Sequence, residues 1–98
     1  MVEASLIHYS KDIDSNGSIQ EMVVWELPET SLSQPHGIKY RLYFGLADGT
    51  CLLRYDNEKH KGDHRHLRES EEKYNFSTLP QLFDDFFNDI DKIKKGII

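Results

Sequence analysis

Residues 38–57, IKYRLYFGLADGTCLLRYDN, read as two strands folded back on each other. Along IKYRLYFGL, Ile38, Tyr40, Leu42, Phe44 and Leu46 alternate with Lys39, Arg41 and Tyr43, the period of a half-buried strand. Asp48-Gly49 then supplies a hairpin turn, because both residues tolerate the positive φ that tight hairpin loops require. CLLRYDN returns as the partner strand. With Asp48 and Gly49 as the two loop residues, the register pairs Leu46 with Cys51, Phe44 with Leu53 and Leu42 with Tyr55 on an apolar face. The other face then carries Gly45 opposite Leu52, Tyr43 opposite Arg54 and Arg41 opposite Asp56, with Lys39 alongside.

Working outward, SIQEMVVWEL (18–27) places Ile19, Val23, Trp25 and Leu27 largely on one alternating face and reads as a strand ended by Pro28. Asp14-Ser15-Asn16-Gly17 before it is a turn cluster, and ASLIHY (4–9) is a short β-leaning segment. Residues 28–37 are a loop. Residues 58–63, EKHKGD, are a second loop hinged at Gly62. His64–Arg68 and Lys73–Phe76 are candidate short strands. The last segment is helical: Leu82, Phe83, Phe86, Phe87, Ile90 and Ile93 recur at helical spacing. Thr78 and Gln81 fit a capping box, with Pro80 in the first turn and Gly96 as a stop. The expected fold is α+β: one domain over residues 1–98, an antiparallel meander of four to five strands, and a C-terminal helix on its apolar face.

Charge is unevenly placed. The chain has a formal net charge of -5, yet seven Lys/Arg face four acids between Lys39 and Arg68, so that segment is +3 and the rest is -8. An acidic body with one basic patch points to a local anion site, not to a protein that coats DNA. The single cysteine, Cys51, excludes an internal disulfide and sits in an apolar run as a small hydrophobe. No signal-peptide pattern is evident and no apolar run approaches ~18 residues, so the expectation is a cytoplasmic protein without a membrane partner.

The chemistry concentrates in RYDNEKHKGDHRHL (54–67). In an extended chain His64 and His66 point to the same side. Two histidines among cations can cleave RNA without metal, one removing the 2′-hydroxyl proton and the other protonating the leaving 5′-oxygen. The expected catalytic set is His64, His66, Lys61 and Asp56. Arg41, Arg54 and Arg65 would bind phosphate, Asp56 or Asp63 would orient a His or an Arg, and Tyr43 or Tyr55 would stack a base. A plainer role stands beside each: Asp56-Asn57 can end a strand by bonding backbone, and Arg41–Asp56 can be a cross-strand ion pair. Zinc on His64, His66 and an Asp is a rival, disfavoured by the cationic neighbours. No cofactor is expected.

The order of elements around KYRL, RYDNE and KGDHRH, closed by a helix, resembles the TumE-type toxin family of toxin–antitoxin systems. The matching positions are Tyr55, Asp56, Asn57, Lys61, Gly62, Asp63, His64, Arg65 and His66. The resemblance implies a growth-inhibiting toxin neutralised by a helix-turn-helix antitoxin. It assigns no catalytic residue, so the endoribonuclease roles rest on residue chemistry, with RNA as the expected substrate. A non-catalytic module that grips RNA, nucleotide or protein through the same patch is the alternative. Self-association stays open.

Overall fold

The computed structural model describes residues 4–30, 34–58 and 62–98. Its sheet is an antiparallel meander, β1(Ser5–Ile13), β2(Ile19–Glu26), β3(Ile38–Gly45), β4(Cys51–Glu58), β5(Gly62–Leu67) and β6(Ser70–Lys73), followed by α1(Leu79–Lys94). The meander and the closing helix are as expected, but there are six strands instead of four to five. The difference lies at both edges. β1 runs four residues further than expected, to Ile13, and pairs along its length with β2. At the far edge the chain turns at Arg68-Glu69, with Arg68 at φ 54°, and β6 begins at Ser70, earlier than the expected Lys73. No Gly or Asn marks that turn, so the usual signal for positive φ is missing.

The central hairpin keeps the expected register over its body: Arg41 opposes Asp56, Leu42 Tyr55, Tyr43 Arg54 and Phe44 Leu53. Its turn is one residue longer than expected. Gly49 N–H donates to Leu46 O (3.0 Å), Leu46 N–H donates to Thr50 O (2.9 Å), and Gly49 takes φ 94°. Gly45 therefore faces Cys51, not Leu52, and a bulge follows at once. The bulge offsets the longer turn, which is why the pairs below it are those of a two-residue loop.

Alternation then divides the sheet. Met22, Val24, Tyr40, Leu42, Phe44, Leu53 and Tyr55 form the buried face. Leu82, Phe86 and Ile90 of α1 complete this core, while Phe87 stays 41% exposed, so the apolar stripe is narrower than the spacing predicts. Thr78 caps the helix by accepting from Gln81 N–H (3.2 Å), and the Gln81 side chain bonds Asp85 instead of closing the capping box. Cys51 is free and half-buried. Asn57, 1% exposed, bonds the backbone of β3: its Oδ1 accepts from Tyr40 N–H (2.9 Å) and its Nδ2 donates to Ile38 O (2.6 Å). A side-chain amide thus continues the ladder where strand pairing stops. Among the described residues no helix is long and apolar enough to cross a membrane.

Candidate functional site

The face away from α1 is a grid set by strand register. One row across the sheet reads Tyr9, Val23, Arg41, Asp56, His64 and Lys73. The next reads Lys11, Glu21, Tyr43, Arg54, His66 and Glu71. The two histidines, Arg54 and Asp56 therefore share four adjacent grid points. Their ring centroids place His64 and His66 6.4 Å apart.

The contacts within this quartet are close but loosely directed. Arg54 Nε lies 2.9 Å from Asp56 Oδ2, a pair two residues apart on one strand. The approach is too oblique for a hydrogen bond, and the buried Nε–H has no hydrogen-bond acceptor among the described residues. Arg54 Nη2 is 3.2 Å from His66 Nε2. An arginine can only donate, so that bond requires a neutral His66 with Nε2 as acceptor. The same Nε2 lies 3.7 Å from Asp56 Oδ1 and 3.8 Å from Glu71 Oε1, where a protonated His66 would find partners. His64 Nδ1 is 3.3 Å from Glu71 Oε1. With a proton on Nδ1 facing that carboxylate, the lone pair of Nε2 is the basic site. The arrangement offers two imidazoles, each with a carboxylate to stabilise its charged form, beside one guanidinium.

Glu71 was not singled out by sequence reasoning. It reaches the histidines because the Arg68-Glu69 turn pairs His66 with Glu71. Its signal is the alternation of SEEK, legible only once that turn is placed.

Of the sequence-predicted residues, His64, His66, Asp56 and Arg54 are brought together. Arg41 and Tyr43 share the face but stand one strand further off. The Arg41 guanidinium lies over the Tyr43 ring (5.1 Å to the centroid) and 3.7 Å from Glu21, leaning away from the histidines. The Tyr43 ring lies against Gly45, where a Cβ would stand 2.2 Å from the Tyr43 hydroxyl. Lys61 lies outside the described residues, as do Lys59 and His60 of the expected loop.

Asp63 and Arg65 are on the opposite face, because strand alternation that joins His64 to His66 also turns their neighbours under the helix. Asp63 accepts from the Tyr40 hydroxyl (2.8 Å) and from His36 Nε2 (3.0 Å), while His36 Nδ1 accepts from Ile38 N–H (3.2 Å). That pattern fixes a neutral His36 and ties the residue-34–37 turn to β5. Arg65 Nε donates to Asp89 Oδ2 (2.7 Å), and Nη1 donates to Glu72 (2.8 Å). The Tyr55 hydroxyl donates to Asp89 as well, and the Tyr74 hydroxyl donates to Asp85. Burial, then the neighbouring carboxylates, push the Tyr40, Tyr55 and Tyr74 phenols well above their ordinary range. The hydrogen bond to Asp89 raises Arg65 above an already high value. Asp89 was also missed by sequence reasoning; its signal is its place on the stripe of Leu82 and Phe86.

Among the described residues no group of three or more His, Cys, Asp or Glu converges to hold a metal ion. Comparison with curated proteins and with solved structures gives no match. The family model described as Toxin TumE matches residues 3–94. The chain belongs to the TumE toxin family, and a toxin of this kind has an antitoxin as its partner.

Proposed function

We propose that this TumE-family toxin is a metal-independent endoribonuclease whose acid/base pair is His64 and His66. The observation that carries the reading is the shared face: two imidazoles 6.4 Å apart, with Arg54 3.2 Å from one and Glu71 3.3 Å from the other. That gap accommodates a phosphodiester. His64 Nε2 removes the proton of the 2′-hydroxyl, and the 2′-oxygen attacks phosphorus. The bond to the 5′-oxygen breaks, and that oxygen takes its proton from the protonated form of His66, in which Nε2 has exchanged Arg54 for Asp56 or Glu71 as its partner. The products are a 2′,3′-cyclic phosphate and a free 5′-hydroxyl. Arg54 faces the non-bridging oxygens as charge builds on them, and Asp56 holds Arg54 in place. Arg41 can reach a neighbouring phosphate, and Lys61 lies next to this face in sequence. The partner we infer is a helix-turn-helix antitoxin that neutralises the toxin in the cytoplasm.

A second reading has one observation in its favour. Arg54 already has Asp56 beside it, so the patch could grip RNA, nucleotide or protein without turnover. Expression of His64→Ala and His66→Ala in the host separates the two. Each variant is expected to lose about 10²- to 10⁴-fold of RNA cleavage, and growth inhibition with it. If both inhibit growth like the wild type while remaining folded, the acid/base assignment is wrong.

A further inference from the structure

We infer that the β1–β3 half of the open face is a stacking track for single-stranded RNA, with Trp25 as its platform and Lys39 as its phosphate contact. The inference rests on the ribonuclease reading of the histidine site and specifies its substrate as unpaired strand.

Three observations converge. First, register places Leu6, Trp25 and Lys39 in one row across β1, β2 and β3, beside the row that runs through Val23 and Arg41 to Asp56 and His64. Secondly, this half of the face is rich in apolar groups that reach solvent: Leu6 is 52% and Tyr9 56% exposed, and Val23 and Trp25 are half-buried. α1 lies on the other side of the sheet, and Trp25 has no ring contact among the described residues. Thirdly, Lys11 and Lys39 have no ion-pair partner among the described residues. On the whole face Lys11, Lys39, Arg41, Arg54 and Lys73 outnumber Glu21, Asp56 and Glu71 among the described side chains.

A half-buried indole on an open sheet face, with Lys39 beside it in register and without an ion-pair partner among the described residues, suits a base and its phosphate better than an apolar peptide. Strands about 4.8 Å apart and alternate residues about 7 Å apart put Trp25 roughly 16 Å from His64, a span of a few nucleotides. A strand stacked on Trp25 can therefore carry a neighbouring phosphate to the histidines. Paired bases have no free ring face to offer, so a duplex gains only its phosphate contacts. The Tyr43 ring is already sandwiched between Gly45 and Arg41, which leaves the half-buried Trp25 as the ring without a stacking partner on this face among the described residues.

Trp25 is the single tryptophan, so its fluorescence reports the track directly. The experiment titrates the intact protein with a 2′-O-methyl single-stranded octamer, which cannot be cleaved, and with the matching duplex, at low and moderate salt. The single strand is expected to quench Trp25 and to bind at least tenfold more tightly than the duplex. Affinity should fall about tenfold or more for a fourfold rise in salt. With a labelled octamer read by anisotropy, Trp25→Ala and Lys39→Glu are each expected to weaken binding about tenfold, with circular dichroism unchanged. Absence of quenching, equal binding of duplex, or affinity indifferent to both substitutions overturns the track. So does a Trp25→Ala variant that loses the antitoxin but keeps the octamer, which would give the face to that protein. The His64→Ala/His66→Ala double variant keeps the two proposals apart. If it cleaves RNA yet still shows quenching, the acid/base reading fails and the track stands.

Discussion

The β4–β5 hairpin carries a polar cluster on each face, and the two are built from nearly the same residue types. Under the helix, Arg65 meets Asp89 and Glu72, Tyr55 meets Asp89, and Asp63 accepts hydrogen bonds from Tyr40 and His36. The main donor–acceptor pairs there lie at 2.7 to 3.0 Å, with Arg65 also 3.2 Å from the Tyr55 hydroxyl. On the open face Arg54 is 2.9 Å from Asp56 at an oblique angle, and Arg54, Asp56, His66, His64 and Glu71 otherwise approach at 3.2 to 3.8 Å, with competing partners for one imidazole nitrogen. In the first cluster burial and the adjacent carboxylates keep the protons on Tyr40, Tyr55 and Arg65. The second can exist in more than one protonation state with a partner for each. Composition does not tell a structural cluster from a reactive one; geometry does, and on the open face the buried Arg54 Nε–H has no acceptor among the described residues.

Substitution on each face is expected to move a different quantity. On the open face His64→Ala and His66→Ala cost catalysis the equivalent of about 3–5 kcal/mol, while changing stability by about 0.5 kcal/mol or less. On the helix face Asp89→Ala leaves Arg65 without its nearest carboxylate and is expected to cost about 3 kcal/mol of stability, read by urea unfolding. Growth inhibition by that variant should fall only with its folded fraction. Replacing the group together, Asp89→Leu and Arg65→Met with Tyr55→Phe, should recover most of the stability and keep RNA cleavage, since neither a charge nor the Tyr55 hydroxyl is then left unmatched. Loss of cleavage in a well-folded triple variant would show that Arg65 serves the phosphate and that the faces are not separate.

The alkaline limit tests the helix face as a whole. Tyr40, Tyr55 and Tyr74 have folded values raised above the ordinary 10. In the unfolded chain they ionise near that value, so the unfolded state releases protons first as pH rises. The stability they contribute is complete below pH 10 and is lost as pH climbs toward the folded values. Phenolate absorbance of these three groups should therefore appear together with unfolding. Ordinary titration near pH 10 with the fold intact would mean the cluster is open to solvent.

Much of this was legible beforehand. The alternation of 38–57 gives the central register, and it places Arg41, Tyr43, Arg54 and Asp56 on one face because a strand leaves no other choice. The turn length was not legible, and the Leu52 bulge hid the error by cancelling it. The last strand is expected over Lys73–Phe76 but lies at Ser70–Lys73, and Glu71 is missed with it, since Arg68-Glu69 carries no turn-forming residue. Arg65 and Asp63 were assigned with the histidines by proximity in sequence. Period-two logic already separates them, but an arginine and an aspartate under a helix are affordable only with partners such as Asp89 and Tyr40, which lie far away in the chain.

Arg41 stands at the border between the two regimes, and its replacement has the smallest expected effect. It opposes Asp56 in register, yet its guanidinium pairs with Glu21 at 3.7 Å, and Asp56 has Arg54 at 2.9 Å instead. Its side chain is 46% exposed and that of Glu21 29%, so solvent screens the pair. Arg41→Ala should change stability by under about 1 kcal/mol. For cleavage, a group that meets a phosphate away from the scissile one strengthens binding of substrate and transition state alike, so KM should rise several-fold with kcat little changed. A fall in kcat as large as that of the histidine variants would instead mean that the guanidinium leaves Glu21 in the complex and crosses toward Asp56. The reactive cluster would then extend across β3, and Glu21→Ala, which frees Arg41 to make that move, would raise the rate.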